Sequence, residues 1–329
     1  MRNSTFRRVI YTMNSTPPPP STDFIIKVKT DNDGTSEDNQ FTLPLINSVS
    51  IQYDCVIDWG DGNNQSLSGQ SSAITHTYSV AGEYTIKISG DSFFMRFSNS
   101  GDRRKVIELV NLGDVGWFAM NQMFFGCTEM IINENCRGEF QNVTTVESCF
   151  NGCTKIDYIP PMNLLICTNF SSFIEGTSLL KNIQEIETGS GVNFSRFAFN
   201  SGLEIFPIDF DFSNATNLSI GFANCKFKDI PAVDFPICTN FSQTFFGLGV
   251  IDSCGLRNFY AMTNGAQMFN NTTLPTSDWS DILVTQRANN ANTGVTFHGG
   301  SSKYNPAGGV AREELVTIQS WSIIDGGAE

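Results

Sequence analysis

Two patterns of apolar and polar residues divide this chain. Between residues 23 and 99 they come in short runs. Phe24-Ile25-Ile26-Lys27-Val28 has strand composition, Cys55-Val56-Ile57-Asp58-Trp59 leads into a turn and the polar loop Asp61-Gly62-Asn63-Asn64, and Tyr84-Thr85-Ile86-Lys87-Ile88 alternates strictly. From about Trp117 to Leu274 the alternation gives way to a recurrence of about 24 residues. Asn169-Phe170-Ser171, Asn193-Phe194-Ser195, Asn217-Leu218-Ser219 and Asn240-Phe241-Ser242 follow at steps of 24, 24 and 23; Asn264 continues the series, and Thr145 and Ala119 hold the slot upstream. A period of this size predicts units that stack, because none can bury its apolar face alone.

Each unit has a readable interior. A Phe-rich step follows the Asn slot, as in Phe124-Phe125-Gly126-Cys127-Thr128 and Phe150-Asn151-Gly152-Cys153-Thr154. Phe124, Phe150, Phe173, Phe199, Phe222, Phe245 and Phe269 are expected to form a core column. Each buried ring would contribute roughly 1.5–3 kcal/mol, which accounts for 28 Phe in a chain of low charge. An apolar residue before proline recurs at Ile159-Pro160, Phe206-Pro207 and Ile230-Pro231. Proline fixes φ and removes a donor, so this step marks entry to a strand or turn. Ile-Cys-Thr-Asn-Phe-Ser occurs twice, at 166–171 and 237–242.

These residues resemble the BspA-type leucine-rich-repeat surface proteins, with Phe in place of much of the usual Leu. The resemblance covers about half the chain and implies a short solenoid of about seven 24-residue repeats, with one parallel strand per repeat. Strands stacked about 4.8 Å apart would give a ladder of roughly 30 Å. Upstream, Asp58-Trp59-Gly60-Asp61-Gly62, His76-Thr77-Tyr78 and Ala81-Gly82-Glu83-Tyr84-Thr85 resemble a PKD-type (polycystic-kidney-disease) β-sandwich module. Downstream, residues 279–288 and 307–317 read as helices and 295–297 and 322–324 as strands, a segment similar to the closing part of such repeat proteins. The expected fold is therefore mainly β: a sandwich over residues 22–100, a repeat solenoid over 101–275, and a small α/β cap over 276–329.

Residues 1–21 stand apart. Arg2, Phe6, Arg7, Arg8, Val9 and Tyr11 lie in a basic stretch without an acid, and Pro17, Pro18, Pro19 and Pro20 follow. A proline run is an extended, semi-rigid spacer, so the segment reads as a docking arm on a stiff stalk. Val9-Ile10-Tyr11 is the longest apolar run there, short of a secretory core. No stretch of the sequence approaches a membrane span. The arm carries +3, which leaves −16 on the remainder of a chain whose net charge is −13. An acidic body argues against nucleic acid as a partner, since phosphate contacts need clustered Lys and Arg.

Candidate chemistry is thin, and no catalytic residue, metal or cofactor is expected. The nine cysteines form no C-x-x-C pair; Cys127, Cys153 and Cys225 share one repeat slot and Cys167 and Cys238 another, as buried small hydrophobes would. His76 and His298 fall in different modules, and His76 reads as a structural hydrogen-bonding residue. Asp31-Asn32-Asp33-Gly34 lacks EF-hand spacing and reads as a turn. Asp209, Asp211 and Asp234 lie on or beside strands, where Asp209 and Asp211 would share a face. The sequons at Asn169, Asn193, Asn217 and Asn240 recur because the repeat recurs, and are expected to hydrogen-bond along a ladder.

Three functions compete. The first is a non-enzymatic structural and adhesion protein of a tailed-phage particle (capsid decoration, head fibre, or tail fibre or spike) on the virion surface. It would be anchored to other virion proteins through the arm and present its repeats to host-surface glycan or protein; a homo-oligomer is open. The second is an adhesin on a bacterial cell surface, which would call for an export signal that residues 1–11 do not supply. The third is a polysaccharide-acting enzyme or its binding module.

Overall fold

The computed structural model describes residues 22–329. The expectations for Arg2, Phe6, Arg7, Arg8, Val9, Tyr11 and the four prolines lie outside the described residues. Alternating apolar runs become β1 (Phe24–Lys29), β2 (Gln40–Leu43), β3 (Tyr53–Asp58), β4 (Asn64–Gly69), β5 (Ile74–Thr77), β6 (Glu83–Ser92), β7 (Val106–Asn111) and β8 (Ile131–Ile132). One sheet runs in the order β4-β3-β6-β1-β7-β8, and β2 pairs with β5 in a second. In β1, Phe24, Ile26 and Val28 face the core while the intervening residues are half-buried, as a period of two requires.

The first sheet does not stop at residue 100. β7 pairs antiparallel with the free edge of β1, burying Val106 and Leu109, and β8 adds to it in parallel. The sheet and the first repeat thus share hydrogen bonds and one core. Two buried charges fix the approach to β7. Lys105 Nζ donates to the carbonyls of Ser36, Glu37 and Gln40 at 2.8–3.0 Å. Burial would raise the Asp102 carboxyl, but hydrogen bonds from Ser36 Oγ and the amides of Ser36, Thr42 and Thr35 outweigh it and hold the group below the ordinary range.

Beyond β8 the 24-residue units stack in parallel. Single-residue bridges join Thr145, Asn169, Asn193, Asn217, Asn240 and Asn264 in turn. Each later Asn donates its Nδ2 to the Oδ1 of the Asn one unit before, at 3.0–3.2 Å. The same oxygen accepts from the amide two residues on, as at Ser195 and Ser219, at 3.1 Å. The sequons are therefore a side-chain ladder.

The ring column runs Phe124, Phe150, Phe173, Phe197, Phe222, Phe245 and Phe269, all fully buried, with successive centroids 5.5–6.1 Å apart. Phe199, expected in this column, is not in it. It is half-buried, and the Arg196 guanidinium lies 4.4 Å from its ring centre. The reason is backbone shape. Two left-handed residues turn each unit, at 122, 148, 172, 196, 220, 243 and 267 and again at Gly126, Gly152, Gly176, Asn200, Asn224, Gly247 and Asn271. The core ring is the second residue after the first left-handed position in five units and the first in two, at Phe173 and Phe197; Phe199 is the third, the half-buried place that Phe125 and Phe246 hold in their own units. Only Gly and Asn fill the second slot, as expected where φ is near +60° to +80°.

The remaining elements are β9 (Asp229–Asp234), β10 (Gly249–Val250), β11 (Ser253–Arg257), β12 (Asn264–Gly265), β13 (Thr272–Thr273), α1 (Thr276–Asn289), β14 (Thr296–His298), α2 (Pro306–Ile318) and β15 (Ser322–Ile324). β9 pairs with β11, β10 with β13, and β12-β14-β15 form a parallel trio. α2 begins with Asn305 Oδ1 accepting from the Gly308 amide at 3.0 Å and with Pro306 in the first turn. Trp279 of α1 lies against Phe269 and Phe297 and closes the ring column. The chain is thus mainly β, with two α-helices among the described residues. Among those residues, no helix is long and apolar enough to cross a membrane.

Candidate functional site

The repeats carry a second backbone column at the apolar–proline step, and this one is interrupted. Gly113 bridges Gly138, donating to the Arg137 carbonyl and accepting from the Glu139 amide. Met162 bridges Ile186 in the same way, through Glu185 and Glu187. In a parallel ladder the amide and carbonyl of Gly138 then point to the next unit, at Pro161 and Asn163. No backbone hydrogen bond joins them among the described residues. Pro160 and Pro161 fix φ near −65° rather than the roughly −120° of a parallel strand, which turns the Pro161 carbonyl and the Asn163 amide out of that register. One unit further on, the ladder is replaced by a side chain: Thr188 Oγ1 accepts from the Asp211 amide at 2.9 Å and donates to its carbonyl at 3.1 Å.

Where the column fails, the surface opens into a groove of about 990 Å³. Pro161, Met162, Leu165 and Ile186 supply apolar surface, and Glu139, Glu185, Glu187, Asp209 and Asp211 supply carboxylates. These acids sit in repeat register. Positions 139, 163, 187 and 211 hold Glu, Asn, Glu and Asp, while 137, 161, 185 and 209 hold Arg, Pro, Glu and Asp. Glu187 and Asp211, like Glu185 and Asp209, are therefore like charges on neighbouring units, an arrangement that is destabilising when nothing intervenes. Glu139 accepts from Gln141 and Asp211 from the Ser213 amide. Glu185, Glu187 and Asp209 are exposed, and no hydrogen bond or ion pair engages their side chains among the described residues. Arg137 does not neutralise them, because its guanidinium donates to the carbonyls of Glu134 and Cys136 and to Tyr158. Glu185 has φ of +57°, outside the two turn slots; a non-glycine residue there costs about 1–2 kcal/mol.

A smaller cavity of about 370 Å³ adjoins the groove, sharing Arg137, Gly138 and Glu139 with it and lined also by Gly113, Asp114 and Thr22. Thr22 is where the described chain begins. The segment carrying Arg2, Arg7 and Arg8 is thus covalently attached beside an acidic groove.

The other candidates take structural places. His76 Nε2 meets Asp61 Oδ2 at 2.9 Å, and its ring stacks on Trp59 and lies edge-on to Tyr78. Tyr78 Oη donates to the Trp59 carbonyl at 3.1 Å, so the Trp-Gly-Asp-Gly and His-Thr-Tyr phrases lock one corner. Asp31 pairs with Lys29 and Asp33 with Arg104. Asp234 accepts from Asn258 and does not line the groove. His298 Nδ1 accepts from the Gly300 amide, and burial lowers its affinity for a proton. All nine cysteines are free and buried; burial pushes the Cys55 thiol to about 11 and those of Cys167 and Cys238 to about 12. Among the described residues no group of three or more His, Cys, Asp or Glu is placed to hold a metal ion.

Of the acids read from the sequence, the structure brings Asp209 and Asp211 together in the groove and leaves Asp234 elsewhere. Glu139, Glu185 and Glu187 were not singled out by sequence reasoning. The repeat period applied to acids, rather than to Asn and Phe, would have found them. No protein-family model, curated protein or solved structure matches this chain.

Proposed function

We propose that this chain is a non-enzymatic structural and adhesion protein of a tailed-phage particle, displayed on the virion surface as a capsid decoration, head fibre, or tail fibre or spike. In this reading residues 22–100 are a PKD-like β-sandwich whose first sheet is extended by β7 and β8, residues 101–275 a BspA-like solenoid and residues 276–329 its cap. The basic arm beyond the four prolines anchors the body to other virion proteins. The observation that supports this reading best is the unbroken Asn and Phe columns, which make the repeats one stiff unit with one core. A stiff body with a regularly repeated face suits weak contacts to host glycan or protein, summed over many copies.

Deletion of residues 1–20 tests the anchor. The shortened protein is expected to remain folded and to be lost from purified particles; undiminished incorporation would overturn the docking role. A product recovered on bacterial cells and absent from particles would favour the cell-surface adhesin instead.

A second reading draws on the groove itself. Its extent across four units and its carboxylates would suit a polysaccharide chain, either bound or hydrolysed with Asp209 and Asp211 as the acid and base. Release of reducing sugar that is lost in both Asp209→Asn and Asp211→Asn would establish hydrolysis.

A further inference from the structure

We propose that the groove at the interrupted column receives the chain's own basic arm, residues 2–11. The interaction is one of the free chain, exclusive of any engagement of the arm by another protein, and stands whether or not the chain belongs to a virus particle. Three observations converge on it.

The groove offers two backbone groups without a backbone partner among the described residues, both on Gly138, which lines it. The Gly138 amide and carbonyl face Pro161 and Asn163 without a backbone hydrogen bond to either among the described residues. An extended segment lying in the groove has free amides and carbonyls that can pair with them. Within the arm, Val9-Ile10-Tyr11-Thr12 is a run of β-branched and aromatic residues suited to that conformation.

The charges are complementary. Glu185, Glu187, Asp209 and Asp211 occupy neighbouring units with Arg137 engaged elsewhere. The arm supplies Arg2, Arg7 and Arg8 and no acid. Guanidinium groups pair well with carboxylates even at partly exposed sites, through bidentate hydrogen bonds.

The tether also reaches. The groove crosses three unit spacings, about 15 Å. Four prolines reach at most about 12 Å at the rise of an extended polyproline chain, and the nine residues from Arg8 to Thr16 reach at most about 30 Å. That contour length exceeds the length of the groove. Because Thr22 lines the adjoining cavity, the arm meets its own groove at an effective concentration in roughly the millimolar range.

Disulfide trapping in the full-length chain tests the proposal. All nine native cysteines are buried, so an introduced pair supplies the reactive thiols. Thr12→Cys is combined with Asn163→Cys, which lies in the groove, or with Val49→Cys, an exposed loop position that does not line it. Mild oxidation is followed by non-reducing electrophoresis and peptide mass mapping, with the melting temperature of each variant confirming the fold. The groove pair is expected to close within one chain at least about tenfold faster than the Val49 pair, because the tether serves both pairs alike while docking holds Thr12 near Asn163 alone. The advantage should fall away when Arg2, Arg7 and Arg8 are all changed to Glu, or when Glu185→Gln, Glu187→Gln and Asp209→Asn are combined. Equal rates for the two pairs would overturn the proposal, as would an advantage that survives both charge changes. Closure only between chains, rising with protein concentration, would overturn it in favour of a second copy's arm. None of these outcomes depends on particle incorporation, so failure here and failure of the anchoring role are separate results.

Discussion

Replacing Phe197 and Phe199 separately, each by Ala, tests how the repeats are built. Phe197 is fully buried and packs against the rings of Phe173, Phe194, Phe210 and Phe222 at 5.6–6.1 Å. Truncating such a residue removes its transfer free energy and leaves a cavity, about 3–5 kcal/mol together. The site lies mid-column between well-ordered neighbours with little room to collapse, so the upper part of that range applies, about 4–5 kcal/mol. Phe199 is half-buried, and its defined partner is the Arg196 guanidinium. That contact is worth about 0.5–1 kcal/mol at an exposed site, and the partial burial adds about 1 kcal/mol. Phe199→Ala should therefore cost about 1.5–2 kcal/mol. Guanidinium denaturation followed by far-ultraviolet circular dichroism measures both, with the wild-type chain as reference. The Phe197→Ala midpoint should fall at least twice as far as that of Phe199→Ala. Equal shifts, or a larger one for Phe199→Ala, would refute the assignment of the column and of the turn geometry behind it.

Other outcomes follow from the same ladder and its flanks. Asn217 both donates to Asn193 and accepts from Asn240 and Ser219; Asn217→Asp keeps the acceptor but loses the donor and adds a part-buried charge, so denaturation should show a loss of about 2–3 kcal/mol. Gly176 has φ of +73° with its Cβ direction 3.6 Å from Gly152 Cα. Gly176→Ala should cost about 1 kcal/mol from the left-handed backbone, and Gly176→Asn distinctly less, since Asn already fills this slot at 200, 224 and 271. The Asp102 carboxyl titrates below its ordinary 3.8 in the folded protein. Its contribution is therefore fully present above that value and lost as pH falls through the lower folded value. Stability measured between pH 6 and pH 2 should decline more steeply for the wild type than for Asp102→Asn, and equal slopes would exclude Asp102 as a source of acid lability.

Much of this architecture is written in local chemistry. The spacing of Asn169, Asn193, Asn217, Asn240 and Asn264 gives the parallel column because one amide side chain can both donate and accept along a stack. The cysteine slots read as buried because they share the apolar register, and α1, α2 and β15 lie within a few residues of the segments their composition marks. These features depend on residue type and period alone.

Tertiary structure decided what depends on which backbone edge finds a partner. No local signal in Val106-Ile107-Glu108-Leu109 says that it joins β1 rather than the repeats; the free edge of β1 decides that, and carries the sheet past residue 100. The choice of Phe197 over Phe199 rests on the left-handed turn at Arg196, a conformation that a non-glycine residue adopts because the stacked units above and below hold it there. The groove arises in the same way. Pro160 and Pro161 are visible in the sequence as a break, but whether a break closes over, is bridged by a side chain as at Thr188, or stays open is settled by what the neighbouring units place against it. Period and composition fix which groups must be paired, and only packing in three dimensions determines which of them are left without a partner.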